Sequence, residues 1–381
     1  MPTKVQNNYL LGTVIDKTMS KLCSQDFAYK AILDGKVTSI DTKNKLIMLE
    51  YSDGSKSAID ISEKSAKNSA SGFYVNNYLT PTSKVKVGSK FKKGEILAVN
   101  KQFFKEDMDG SSAFSGGRLT KVALMCLSST YEDSAPITDN VRREMSSEIT
   151  TEKQVAVKEN SLIISVAKVG QSVNVNDPMI IFEEVGDTAQ AAIDALDRSM
   201  ESAVGSDLEH IGRNVIKSKY SGVITDIKVY YNCDLNGDKI HPSLKKYVEG
   251  YIKDNKGRSN TLKGMREDEI IETASLDRIM NEKILGNEMS GVLICFFIQH
   301  TEDLSIGGKI SFFSACKAII SEVIADDEAP TSEYRSENVV EAVLSPMSLI
   351  ARNVPDLPLL GFSNKVILEL KFQCLEELGI K

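Results

Sequence analysis

The sequence predicts an α+β fold, rich in β structure, in which one domain is interrupted by another. Three observations predict it. Runs of alternating Ile, Leu and Val are broken by turn-forming residues, a Val-Gly turn pattern occurs twice, and two stretches at helical spacing lie between two blocks of strands. The chain has 381 residues, long for one core, which points to two or three modules. Hydrophobic residues make up 41% and charged residues 26%, the balance of a globular rather than a disordered chain.

The elements follow in order. "MPTKVQNNYLL" at the N-terminus has no apolar core of the kind a signal peptide carries. Residues 30–61 read as a small β meander, with "LDGK", "DTKNK" and "SDGS" at its turns. Residues 62–72, "SEKSAKNSASG", read as a loop, so 1–72 form a β-rich N-terminal connector. "VGSKFKKGEIL" (87–97) and its variant "VGQSVNVNDPMI" (169–180) read as strand, tight turn and returning strand. "YSGVITDIKVYY" (220–231) adds a strand entered through a glycine.

Residues 187–215 are Ala-rich with Leu, Ile and Met at helical spacing, and Asp187 or Thr188 is placed to cap them. Residues 243–286 read as charged amphipathic helices at the periphery. Strands resume with "GVLICFFIQH", "GGKISFFSACKAIISEVI" and "NVVEAVLSPMSL", and "NKVILELKFQCLEELGI" reads as a last amphipathic helix. The β elements of 73–140 and 287–353 thus flank a module at 141–286, and 354–381 close the chain.

Composition narrows the function classes. A net charge of −7 argues against a protein that coats nucleic acid, though not against a local basic site. The six cysteines lie far apart with no Cys-x-x-Cys, and three histidines leave little for a zinc site, so the cysteines read as free thiols. The longest apolar run, 291–298, is too short to span a bilayer and reads as a buried strand.

Three polar clusters carry candidate chemistry. Glu132 and Asp133 are adjacent acids in the loop after "KVALMCL", a pattern that fits a metal site or a plain surface. Lys309 and Lys317 are eight residues apart among apolar and small residues. On an extended chain they share a face, where ammonium groups beside apolar walls suit phosphate; solvent-exposed strand lysines are the alternative. Arg352 lies in the Pro-bounded segment "LSPMSLIARNVPD", where a surface ion pair is the alternative.

In order along the chain, four segments resemble the C-terminal part of the β subunit of multisubunit DNA-directed RNA polymerases. "YVNNYLTPTSKVKVGSKFKKGEILA" resembles that family's valine-glycine turn followed by Gly-Asp-x-Leu-Ala. "GRLTKVALMCLSSTYEDSAPITD" resembles its Val-Ala-x-Met strand, then aromatic-Glu-Asp. "GGKISFFSACKAIISEV" resembles its Gly-Asp-Lys-x-x-Gly-Arg-His-Gly-Asn-Lys-Gly-Val motif, and "EAVLSPMSLIARNV" its Asn-Pro-x-x-x-Pro-x-Arg-Met motif. The chain departs at "FSAC" (313–316), which replaces Arg-His-Gly-Asn, and at Gly308, where the family has Asp. Such drift is similar to that of giant-bacteriophage polymerases, whose β and β′ subunits are split into separate polypeptides. The split fits a chain that starts near the middle of a β subunit and stops soon after the Arg352 motif.

The resemblance implies a double-psi β-barrel core built from 73–140 and 287–353 and interrupted by a flap-like insertion at 141–286, whose helices would meet partners. It implies an enzyme active only within a multisubunit complex. Lys309 and Lys317 would contact phosphates around the RNA 3′ end, and Arg352 the triphosphate of the incoming nucleotide. Glu132 and Asp133 would lie near a second Mg²⁺, while the catalytic Mg²⁺ would be held by a β′-like partner, since no Asp-Phe-Asp-Gly-Asp-like run occurs here. Expected partners are N-terminal β-like and β′-like chains, template DNA, nascent RNA and nucleoside triphosphates, with no membrane. The expected setting is the cytoplasm of an infected bacterium, or the virion. A noncatalytic scaffold that keeps the fold is the competing reading, and a β-rich carrier or binding module explains the turns but not the order of the motifs.

Overall fold

A computed structural model of the chain describes residues 3–67, 74–107, 109–185, 213–261, 283–285, 287–312, 316–333, 339–351 and 356–379. The molecule is β-rich with some helices, an α+β chain. Among the described residues no helix is long and apolar enough to cross a membrane.

The meander forms as expected. Strands Gly35–Asp41, Leu46–Tyr51 and Lys56–Asp60 pair antiparallel in sequence order. Lys45 and Gly54 take left-handed backbone at the two turns, with φ of 54° and 82°. Alternation then sends Val37, Ile47, Leu49, Tyr51 and Ile59 into one core with Phe91. The stretch 62–72 is not all loop: Lys64–Lys67 is a strand paired with Tyr74–Asn77. The N-terminal connector also carries a helix, Val14–Leu22, in which Asp16 accepts a hydrogen bond from the backbone N–H of Thr13.

The two Val-Gly segments are not hairpins. Strand Lys90–Phe91 pairs with Gly35–Asp41, while Ile96–Val99 pairs with Ala28–Lys30 and Thr80–Pro81. In the second copy, Ser172–Val173 pairs with Gly222–Tyr231, while Pro178–Glu184 pairs with Ser161–Val166 and Asn214–Lys217. The turn between each pair of strands is closed by an acid. Glu95 Oε2 accepts the N–H of Lys92 at 3.0 Å, and Asp177 Oδ2 accepts that of Asn174 at 2.7 Å. This redirects the chain onto a different sheet.

The likeness between these copies runs deeper than the turns. Gly88 N–H reaches Val37 O at 2.8 Å, and Gly170 N–H reaches Ile224 O at 2.7 Å. Gly94 N–H reaches Ala31 O, and Asn176 N–H reaches Ser218 O, both at 2.8 Å. Each partner strand opens on a glycine whose Cβ would collide with a carbonyl, Gly35 with Glu50 O at 2.5 Å and Gly222 with Gln299 O at 2.1 Å. The chain therefore holds two copies of one unit, "DGKVTSI" with its Val-Gly turn and "SGVITDI" with its own.

The second copy is built on a long ribbon. Ser147–Lys158 pairs residue for residue with Gly291–Glu302, which also pairs with Gly222–Tyr231. Its core unites Val155, Ile180, Phe182, Ile224, Ile294 and Phe296. The strand "GVLICFFI" is buried as expected, but it belongs to the sheet of Ser147–Lys158 and Gly222–Tyr231 and not to that of the following strands. Helix Pro242–Thr261 is not peripheral: Leu244 and Val248, one turn apart, are fully buried in this core. The expected helix at 187–215 lies largely outside the described residues; its last positions fall in strand Asn214–Lys217. Lys283–Ile284 is a strand where a helix was expected to run to 286.

A separate five-stranded sheet joins chain from both sides of that module. Its order is Val122–Leu124, Ala342–Leu344, Ser134–Thr138, Cys316–Ile324, Lys309–Phe312. Val122–Leu124 runs parallel to Ala342–Leu344, and Ser134–Thr138 runs parallel to Cys316–Ile324. The last helix, Asp356–Glu377, starts earlier than "NKVILELKFQ" suggests and is not amphipathic. Leu359, Phe362, Val366 and Leu370 are exposed on it, while Leu360, Ile367, Leu368 and Phe372, on its other sides, are half-buried.

Candidate functional site

The site grows from one end of the five-stranded sheet. Gly307 takes φ of 83°, and its N–H reaches Ile320 O at 2.8 Å, which starts a hairpin. Strand Lys309–Phe312 then pairs antiparallel with Cys316–Ile324, Lys309 opposite Ile319 and Ser311 opposite Lys317. The chain between the lysines is therefore folded back, not extended. Their shared face comes from the hairpin register: they are diagonal neighbours on adjacent strands, about 7–8 Å apart at the backbone. Alternation does the rest. Ile310, Phe312, Cys316, Ala318 and Ile320 enter the core with Ile137, Val141 and Leu344, which leaves Lys309, Ser311, Lys317 and Ile319 on the exposed face.

The same register explains two departures from the polymerase motif. Phe312 and Cys316 pair across the end of the hairpin and are buried, so they fill the core and do not reach the lysine face. Gly308 stands where the family has Asp, and a Cβ there would meet Ser305 O at 2.7 Å. The remaining residues of that stretch, 313–315, lie outside the described residues.

Glu132 and Asp133 reach the same end by another route. The loop after Val122–Leu124 is tied down at several points. Met125 N–H reaches Leu344 O at 3.1 Å, Leu127 N–H reaches Thr130 Oγ1 at 2.8 Å, and Ser321 Oγ donates to Ser129 O at 2.6 Å. Glu132 adopts φ of 49°, a left-handed conformation unusual for a residue other than glycine. Its carbonyl accepts the hydroxyl of Ser348, and the carbonyl of Asp133 accepts Ile319 N–H at 2.8 Å. Both acids are exposed, in the turn that leads into strand Ser134–Thr138, the neighbour of the strand that carries Lys317.

Arg352 lies outside the described residues. The helix that leads to it, Pro346–Ala351, follows strand Ala342–Leu344, and Ser348 on it is the residue that holds Glu132. The sheet thus brings together four of the five expected residues: Lys309, Lys317, Glu132 and Asp133. Reading the sequence missed Ser348 and Ser321, since a serine that binds a distant carbonyl has no local signature.

Among the described residues no group of three or more His, Cys, Asp or Glu is arranged to hold a metal. Two adjacent carboxylates fit the way Mg²⁺ is bound when phosphates and water supply its other ligands. Apolar side chains surround the polar groups: Leu124, Met125, Leu127, Tyr131, Met347 and Ile350 are all exposed. They sit at the end of strand Val122–Leu124, on the loop that follows it and on helix Pro346–Ala351, a concentration beyond scattered surface residues. No family model matches the chain, and no curated protein matches it.

Proposed function

We propose that the chain is a subunit of a multisubunit DNA-directed RNA polymerase, equivalent to the C-terminal part of a β subunit and of the split-subunit giant-phage type. One observation carries the reading. Two stretches of sequence, 122–138 and 309–344, meet in one sheet that sets two exposed lysines beside two exposed acids, in the motif order of the polymerase family. In this reading the sheet is part of a double-psi barrel, and the module between the two stretches is the flap.

The chemistry suits the residues. Nucleotidyl transfer asks the protein to position phosphates and offset their charge. Lys309 and Lys317 act as point charges on RNA phosphates, and Arg352 as a fork on the incoming triphosphate. Glu132 and Asp133 would help to hold a nucleotide-bound Mg²⁺, which would supply charge neutralisation at the phosphates. A β′-like chain would hold the catalytic Mg²⁺ and would cover the apolar surface around Glu132.

Reconstitution tests this. The chain co-expressed with its neighbouring polymerase chains should form a complex that makes RNA on a DNA template. Lys317→Ala and Lys309→Ala should each lower synthesis by roughly 10²-fold, the scale of one lost preorganised contact, without loss of assembly. Wild-type rates in both variants would leave the noncatalytic scaffold as the reading.

A further inference from the structure

The first copy of the repeated unit carries a row of lysines that the second lacks. Across the meander sheet, Lys56 lies opposite Glu50, Glu50 opposite Lys36, and Lys36 opposite Lys90. The row crosses four strands, about 14 Å at the usual 4.7–4.9 Å spacing. Lys92 continues it two residues beyond Lys90, about 7 Å further on the same side, because Phe91 between them is buried. All four lysines are exposed. The opposite face of these strands is the core of Val37, Leu49, Tyr51, Ile59 and Phe91.

The fold does not need this charge. In the second copy the row reads Ser172, Val223, Gln299, with Asn174 in the place of Lys92. Glycines, bulge and turn hydrogen bonds are otherwise shared. Lysines held directly opposite one another repel, and Lys36 and Lys90 are so placed in a chain whose net charge is −7. Only Glu50 offsets them within the row, its Oε2 3.1 Å from Lys36 Nζ.

We infer that this sheet face binds the phosphate backbone of nucleic acid without reading its sequence. Ammonium groups in a flat array are point charges suited to phosphates. Among its described residues the face has no exposed aromatic ring on which a base could stack. It also has no exposed large apolar side chain to enter a membrane or to anchor a peptide. Val87, exposed on the adjoining turn, is matched by the equally exposed Val169 of the uncharged copy. The inference uses no residue of the candidate site and does not rest on the polymerase reading.

The test uses the full chain and a fluorescein-labelled 24-base-pair duplex of mixed sequence, followed by anisotropy from about 50 to 300 mM NaCl. Log affinity should fall with log salt at a slope of about −3 to −4, some 0.9 for each phosphate met. Lys90→Ser with Lys92→Asn installs the residues the second copy already carries at the same turn. That double variant should bind at least tenfold more weakly at 50 mM salt and lower the slope by about 2. Lys36→Gln, which alters no turn residue, should lower it by about 1. The inference is overturned if both variants bind the duplex as the wild type does, or if affinity ignores salt. Polyglutamate displacing the duplex at equal charge concentration would also overturn it, as would a loss confined to phosphatidylserine vesicles. Lys309→Gln with Lys317→Gln should leave the patch's share of binding intact; a loss found only there overturns it, whereas the RNA synthesis assay judges the polymerase reading alone.

Discussion

The hydroxyl of Ser348 donates to the carbonyl oxygen of Glu132, a contact that spans 216 positions of sequence. It pins the helix that leads to Arg352 onto the loop that presents the two acids. The bond also holds Glu132 in a left-handed conformation that an L residue adopts only at a cost. Replacing Ser348 with Ala should therefore loosen 125–133, with a loss of about 1 kcal/mol, the net worth of one hydrogen bond. Hydrogen exchange across that loop should quicken while the meander of 35–60 keeps its protection. Under the proposed polymerase function, the variant in the reconstituted complex should lose activity through nucleotide affinity more than through assembly.

Gly308→Asp installs the residue that the resembling polymerase motif carries, and it should destabilise this chain. A Cβ at that position meets Ser305 O at 2.7 Å, so the turn before Lys309 must shift. A cost of about 1–3 kcal/mol follows from strain of this kind. Faster exchange of the 309–320 hairpin is the measurement, and unchanged exchange would contradict the close approach of Gly308 to Ser305 O.

Gly222→Ala should be far more damaging than its size suggests. The added methyl would lie 2.1 Å from the carbonyl oxygen of Gln299, inside the ladder that joins Gly222–Tyr231 to Gly291–Glu302. Backbone cannot yield there as a side chain could, so the expected loss exceeds roughly 2 kcal/mol. Val223→Ala, at the next, solvent-facing position, should cost under about 0.5 kcal/mol. Urea unfolding of the two variants side by side checks the difference.

The cysteines should divide by burial. Cys126 and Cys374 are exposed, whereas Cys233, Cys295 and Cys316 are buried. Burial, with the negative charge of Glu152 nearby, pushes the Cys295 thiol up to about 12. At pH 8 its thiolate fraction is then on the order of 10⁻⁴, and the thiolate is the reactive form. A thiol reagent on the native chain should modify Cys126 and Cys374 rapidly and the three buried residues only after unfolding. Raising the pH toward 10 should increase the thiolate fraction of Cys295 without opening a path to it.

Much of the fold was legible because period-2 alternation and turn residues act locally. The meander follows from them, while the strand "GVLICFFI" follows from its unbroken apolar run and the helix at Pro242–Thr261 from its mix of charged and apolar residues. What the alternation does not carry is partner choice. Strands Lys90–Phe91 and Ile96–Val99 look like the arms of a hairpin, yet each pairs elsewhere, because the turn closed by Glu95 sends the chain onto another sheet. The depth of Leu244 and Val248 was hidden for the same reason: charged neighbours mark one face of a helix but not the wall against which the other face packs.

By itself the sequence determined which residues could carry chemistry, since residue type and motif order belong to the chain alone. It also determined the repeat, whose Val-Gly turns are written in "VGSKFKKGEIL" and "VGQSVNVNDPMI" and whose entry glycines are written in "DGKVTSI" and "SGVITDI". Tertiary structure decided which of those residues meet. Lys309 and Lys317 share a face through a hairpin register and not through their eight-residue spacing, and the acids join them through parallel pairing with a strand more than 180 residues away. Register and strand pairing are settled by which apolar faces can be buried together, and burial is a property of the whole folded chain that no local stretch contains.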